Sequence, residues 1–106
     1  MDTRIRQLND ALRITFLGGR IVVTAGVAAL PDRTKAALFA KVHGFIDFNE
    51  DNDPHGEHDF GSVEQDGVKF FWKIDYYDRS LEYGSEDPAD PDVTTRVLTI
   101  MRADEY

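Results

Sequence analysis

The stretch GSVEQDGVKFFWKIDYY, residues 61–77, decides the fold. Two runs suited to β structure, residues 61–65 and 68–77, flank Asp66 and Gly67, residue types that accept the positive φ angles of a type I′ turn. The stretch therefore reads as a β-hairpin. Along its second strand the period of two sends Phe70, Trp72, Ile74 and Tyr76 to one side and Lys69, Phe71, Lys73, Asp75 and Tyr77 to the other. The first side is apolar and aromatic and calls for a covering layer. Stacking on nucleic-acid bases is a weaker reading of these rings, because such platforms sit in basic surroundings and this strand offers only Lys69 and Lys73. On the second side Tyr77 and Lys73 share a face with Asp75, so a small polar pocket with Asp75 or Asp78 as base is a minor alternative.

Toward the N-terminus, Ile5, Leu8 and Leu12 recur at helical spacing behind Thr3, a plausible cap, and Gly18 and Gly19 end the pattern. Residues 20–27, RIVVTAGV, are rich in β-branched side chains and read as a strand buried on both faces in its first half. Pro31 and Asp32 open a second helix carried by Ala37, Leu38, Val42 and Phe45, and Gly44 weakens its last turn. Beyond the hairpin, residues 84–92, GSEDPADPD, form a loop by their Gly, Pro and Asp content. Residues 93–106 fit two patterns. Val93, Val97, Leu98 and Met101 make a helical stripe capped by Asp92, while VTTRVLTI also suits a strand; the helix is preferred. The sum is one α+β domain, a small antiparallel sheet with a central hairpin packed against two to three helices.

The 106 residues suffice for a single core, and 42% hydrophobic with 30% charged composition is that of a globular protein. Cysteine is absent, which removes disulfides and thiolate chemistry and accords with a reducing, cytoplasmic location. No run approaches the ~20 apolar residues that cross a bilayer. The net charge is -8, and it is polarised. Residues 47–92 hold fifteen acidic against three basic side chains, whereas residues 1–46 hold seven basic against three acidic. Such a surface repels nucleic acid and anionic membranes and attracts a basic partner. Neither a G-x-S-x-G elbow nor a P-loop lysine motif occurs.

The acidic segment 47–61, DFNEDNDPHGEHDFG, holds the residues with most chemistry. His55, Glu57, His58 and Asp59 are the types that bind a divalent metal ion, with Asp51 and Asp53 upstream. The spacing matches no strong motif. A calcium loop would need an acid where His55 stands and a bidentate acid where Ser62 stands, and the two histidines are three apart across Pro54 and Gly56 rather than four apart on a helix. The plainer reading is a tight loop whose Asp side chains bond their own backbone amides. His43, on the second helix, reads as a partly buried or solvated residue.

The runs DNDPHGEHDFG, WKIDYYD, DPADP and RVLTIM, with RIRQLNDALR and VVTAGVAAL before them, resemble an uncharacterised bacterial domain-of-unknown-function family. That resemblance carries no activity. It implies an association with plasmids and other mobile elements, hence an anti-restriction or anti-CRISPR inhibitor. An acidic face imitating DNA phosphates would then occupy the basic groove of a nuclease or CRISPR complex. The candidate face comprises Asp47, Glu50, Asp51, Asp53, Glu57 and Asp59 before the hairpin and Glu82, Glu86, Asp87, Asp90 and Asp92 after it; antiparallel pairing sends both loops to the same end of the ribbon. The first expectation is a non-enzymatic binding protein without a cofactor. The alternative is a metal-dependent hydrolase using His55, Glu57, His58 and Asp59, and a third is a homodimer paired through an exposed strand edge.

Overall fold

The computed structural model describes residues 2–106. The hairpin forms as its sequence dictates: β2 (Phe60–Gln65) and β3 (Val68–Tyr77) pair antiparallel with Gln65 opposite Val68. Asp66 (φ 54°) and Gly67 (φ 77°) both occupy the left-handed region the turn requires. A helix, α1 (Arg4–Thr15), precedes them and ends where Phe16 turns left-handed at φ 58°, its N–H closing on Leu12 O.

β1 is shorter than its composition suggests, Arg20–Val23. Thr24 leaves the strand after one last bond to Ile100 O, and its own carbonyl accepts from Val27 and Ala28, so the chain turns into a one-turn helix, α2 (Ala25–Ala28). Alanine and glycine after a threonine favour that turn over further β structure. β1 is also an edge strand, with exposed Arg20 and Val22, and is not buried on both faces. The second predicted helix is α3 (Asp32–His43), entered through Pro31.

Residues 95–102 correct the preferred helix: they form β4 (Thr95–Arg102), followed by a 3₁₀ turn at Ala103–Glu105. β4 lies between β3, antiparallel, and β1, parallel. A strand flanked on both sides rewards β-branched residues, and alternation here buries Arg96, Leu98 and Ile100 toward the helices. The stripe that suggested a helix was a coincidence of spacing. The sheet order β1-β4-β3-β2 is therefore mixed, within the α+β class, and the purely antiparallel expectation fails only at β1.

The helices cover one face. Phe70, Trp72 and Ile74 of β3 and Leu98 and Ile100 of β4 meet Leu12 of α1, Val27 of α2 and Leu38 and Val42 of α3, with Phe45 closing the layer. Burying side chains of this size stabilises by about 1.5–3 kcal/mol each. No helix among the described residues is long and apolar enough to cross a membrane.

Candidate functional site

Residues 44–59 run from α3 to β2 without regular structure, yet almost every turn has an internal fastener. Asn49 Oδ1 accepts from the amides of Asp51 (2.8 Å) and Asn52 (3.2 Å), and Asn52 returns bonds to Asn49 N (2.9 Å) and Asp47 O (2.8 Å). Asp53 Oδ1 accepts from His58 N at 2.9 Å across a turn in which Gly56 and His58 take positive φ. The bonds to Asn49 are of the Asx type, made by an asparagine where aspartates were expected, and Asp53 spans five residues instead. Phe45 and Phe48 then pin it to Trp72, with edge-to-face contacts at 5.4 and 6.1 Å.

The loop docks on α1 through Asn9 and Asp10, and two buried arginines brace the joint. Arg13, 4% exposed, donates from Nη1 to Val42 O (3.2 Å) and His43 O (3.0 Å), which closes the C-terminus of α3, and from Nη2 to Asp10 Oδ1 (3.1 Å). Its guanidinium lies over the Phe48 and Trp72 rings. Asp10 Oδ1 also meets His58 Nδ1 at 2.9 Å, while Asp53 Oδ2 stands 3.7 Å from His58 Nε2, and the His58 ring stacks flat on Phe48 at 3.7 Å. His43 serves the same joint, its Nδ1 at 2.8 Å from Arg13 O.

Arg96, 2% exposed, donates from Nε to Asn9 Oδ1 (2.9 Å) and from Nη2 to Pro88 O, and it faces the Tyr76 ring. Burial lowers the Arg96 pKa from its ordinary value. Asn9 Nδ2 in turn donates to Glu57 O (3.0 Å) and to the Tyr76 hydroxyl (2.8 Å), which donates to Glu57 Oε1 (2.7 Å). Burial, then the Glu57 hydrogen bond, push the Tyr76 phenol far above its usual range. The sequence of contacts Pro88, Arg96, Asn9, Glu57 ties the loop after β3 to the loop before β2. The two acidic loops thus adjoin, with α1 between them.

The predicted site residues divide. Asp47, Glu50 and Asp51 in the first loop and Glu82, Glu86, Asp87 and Asp92 in the second are exposed, and among the described residues none of them pairs with a lysine or arginine. Asp87 and Asp90 cap the amides of Ala89 and Asp92 within their own loop. Asp53 and Glu57 are built into the fold instead. Asp59 is half-buried, and its carboxyl is pushed up by burial and then by the charges of Glu57 and Asp53. The four candidate metal ligands do not converge: Glu57 turns to Tyr76, His58 to Asp10, and His55 faces solvent. Among the described residues no group of three or more His, Asp or Glu is arranged to hold a metal ion. The minor pocket around Tyr77 resolves into a Lys73–Asp75 ion pair at 2.7 Å.

Arg13, Arg96 and Asn9 escaped the sequence reading. Asn9 and Arg13 stand four apart beside the Leu12 position, so a polar pair lay at the rim of the apolar stripe. Arg96 alternates with Leu98 and Ile100, and only the strand reading turns it inward.

A family model described as "Protein of unknown function (DUF3768)" matches residues 23–105. The chain belongs to this family. The DUF3768 segment contains Glu57, His58, Tyr76 and Arg96, whereas Asn9, Asp10 and Arg13 on α1 precede it. No curated protein and no solved structure matches the chain at a significant level.

Proposed function

We propose that this DUF3768 chain is a non-catalytic binding protein whose acidic pole docks on a basic protein surface. The observation that carries the reading is the junction of the two loops through Pro88, Arg96, Asn9 and Glu57, which brings together exposed carboxylates that, among the described residues, make no ion pair with a lysine or arginine. Fixed anionic groups of this kind match a groove lined by lysine and arginine, and their attraction is screened within about 8–10 Å at ordinary ionic strength. A groove that normally holds nucleic acid, in a nuclease or a CRISPR complex, has that chemistry, and its occupancy would inhibit the enzyme. This finer, anti-defence reading rests on the family resemblance of the sequence.

Structure changes which residues test the idea. Asp53 and Glu57 hold the loop together, so their reversal would damage the fold as well as the charge. Glu50, Asp51, Glu82, Glu86 and Asp92 are exposed, and their joint replacement by Lys leaves the buried network intact. Capture from a host lysate by the wild-type chain should yield a basic protein that is released when salt rises from ~50 to ~500 mM and is not captured by the five-fold variant. Capture that survives both changes refutes the proposal.

A further inference from the structure

We infer that the groove between α3 and the edge strand β2 takes an extended basic segment of a protein partner as a fifth strand of the sheet. The inference rests on the binding reading above and specifies its mode. β2 ends the sheet order. In its register Gln65 faces Val68 across the two-residue turn, and Asp59 O accepts from Ile74 N at 2.9 Å. In an antiparallel ladder that parity directs the amides and carbonyls of Phe60, Ser62 and Glu64 away from β3. Lys41 Nζ of α3 takes the Glu64 carbonyl, a device that blunts an edge at one point. The backbone groups of Phe60 and Ser62 remain available for pairing.

Beside this edge lies an open groove of about 690 Å³, its apolar lining made by Ala37, Ala40, Phe45, Ile46 and Val63. Ile46 is 82% exposed, although it adjoins Phe45 of the core, and an added strand would cover it. Charge selects the occupant. Asp47 and Glu64 flank the lining, the only cation in it is Lys41, already engaged, and Asp47 leads directly into exposed Glu50 and Asp51. An added strand shows alternate side chains to the two faces of the sheet. Those turned toward α3 meet Ala37 and Ala40 and must be apolar; those on the outer face lie beside Phe60, Ser62 and Glu64, the last standing between the added strand and Lys69, and Lys or Arg there meets the Glu64 carboxylate. The partner segment thus alternates apolar and basic residues, and main-chain pairing holds it in place.

The test uses the whole chain and two dye-labelled peptides, Lys-Val-Lys-Val-Lys-Val and its isomer Lys-Lys-Lys-Val-Val-Val, of equal charge, followed by fluorescence anisotropy. The alternating peptide should bind at least tenfold more tightly than the isomer. Ser62→Pro removes an outward N–H without touching the bonds to β3 and should weaken binding at least tenfold. Ala40→Tyr, at an exposed helix position that fills the groove, should do the same and serves if the proline variant does not fold. Equal affinity for the two peptides, or affinity unchanged by both variants, overturns the inference. If replacing Glu82, Glu86 and Asp92 by Lys abolishes binding while Ser62→Pro and Ala40→Tyr do not, the acidic-pole reading stands and the groove is excluded. A dimer that either variant dissolves, seen by mass in solution, also overturns it, because the occupant is then a second copy.

Discussion

Replacing Arg13 by Ala would remove its bonds to Val42 O, His43 O and Asp10 together, leaving the Asp10–His58 pair without its cation and the end of α3 uncapped. Leaving the Val42 carbonyl without its arginine donor and the part-exposed Asp10 without its partner costs about 1–3 kcal/mol, which urea denaturation would measure. Arg13→Lys should recover little of it, because an ammonium cannot reach three oxygens in a fork. Gly61 tests packing at the same scale. A Cβ there would stand 2.7 Å from Trp72 Cε2 and 2.8 Å from Phe45 Cζ, so Gly61→Ala should lower stability by about 1–3 kcal/mol in the same assay. Asp59 gives a pH signature. Its folded pKa lies above its ordinary value through burial, then Glu57, so ionising it opposes folding as pH rises through that window, and Asp59→Asn should stabilise the chain at neutral pH but not in acid. Only some of these residues were legible beforehand. A loop rich in Asn, Asp, Pro and Gly announces Asx turns, but the arginines that lock it answer to a tertiary neighbour the local sequence does not contain.

Among the elements, the hairpin and the first and third helices follow from local signals, since turn chemistry and apolar spacing act over a few residues. The last strand did not, because its composition satisfies two periods and the choice was made by the neighbours on either side of β4. α2 depends on a clamp from afar. Glu105 accepts from Thr24 Oγ1 (2.7 Å), Gly26 N (2.9 Å) and Arg102 N (2.8 Å), and these bonds, Thr24's first, lower its pKa. A carboxylate depressed in the folded state supports folding above its unfolded pKa of ~4.3 and ceases to do so as pH falls through the folded value. Wild type should therefore lose more melting temperature than Glu105→Gln on going from pH 5 to ~pH 3, as calorimetry would show; parallel losses would refute the clamp.

For the molecule as a whole, charge and family segment divide the chain differently. The acidic loops lie within residues 23–105, but the helix that joins them does not. Leu12, fully buried, and Asn9 and Arg13 all belong to α1. A fragment of residues 23–105 should consequently lose cooperative thermal unfolding by circular dichroism, whereas the full chain melts in one transition. The polarity of charge was plain from composition. That both loops leave the same end of the ribbon follows from the hairpin alone; that they are linked through α1 required the buried Arg96, which no local pattern announces.

The parallel pairing of β1 with β4 sets Arg20 beside Val97, near opposite ends of the described chain. During translation α1 and β1 leave the ribosome long before β4, so β1 waits with both edges bare while the rest is made at ~5–20 residues per second. Sheet closure is then a late event of high contact order, and the nascent β1 spends seconds without the neighbour that completes its ladder.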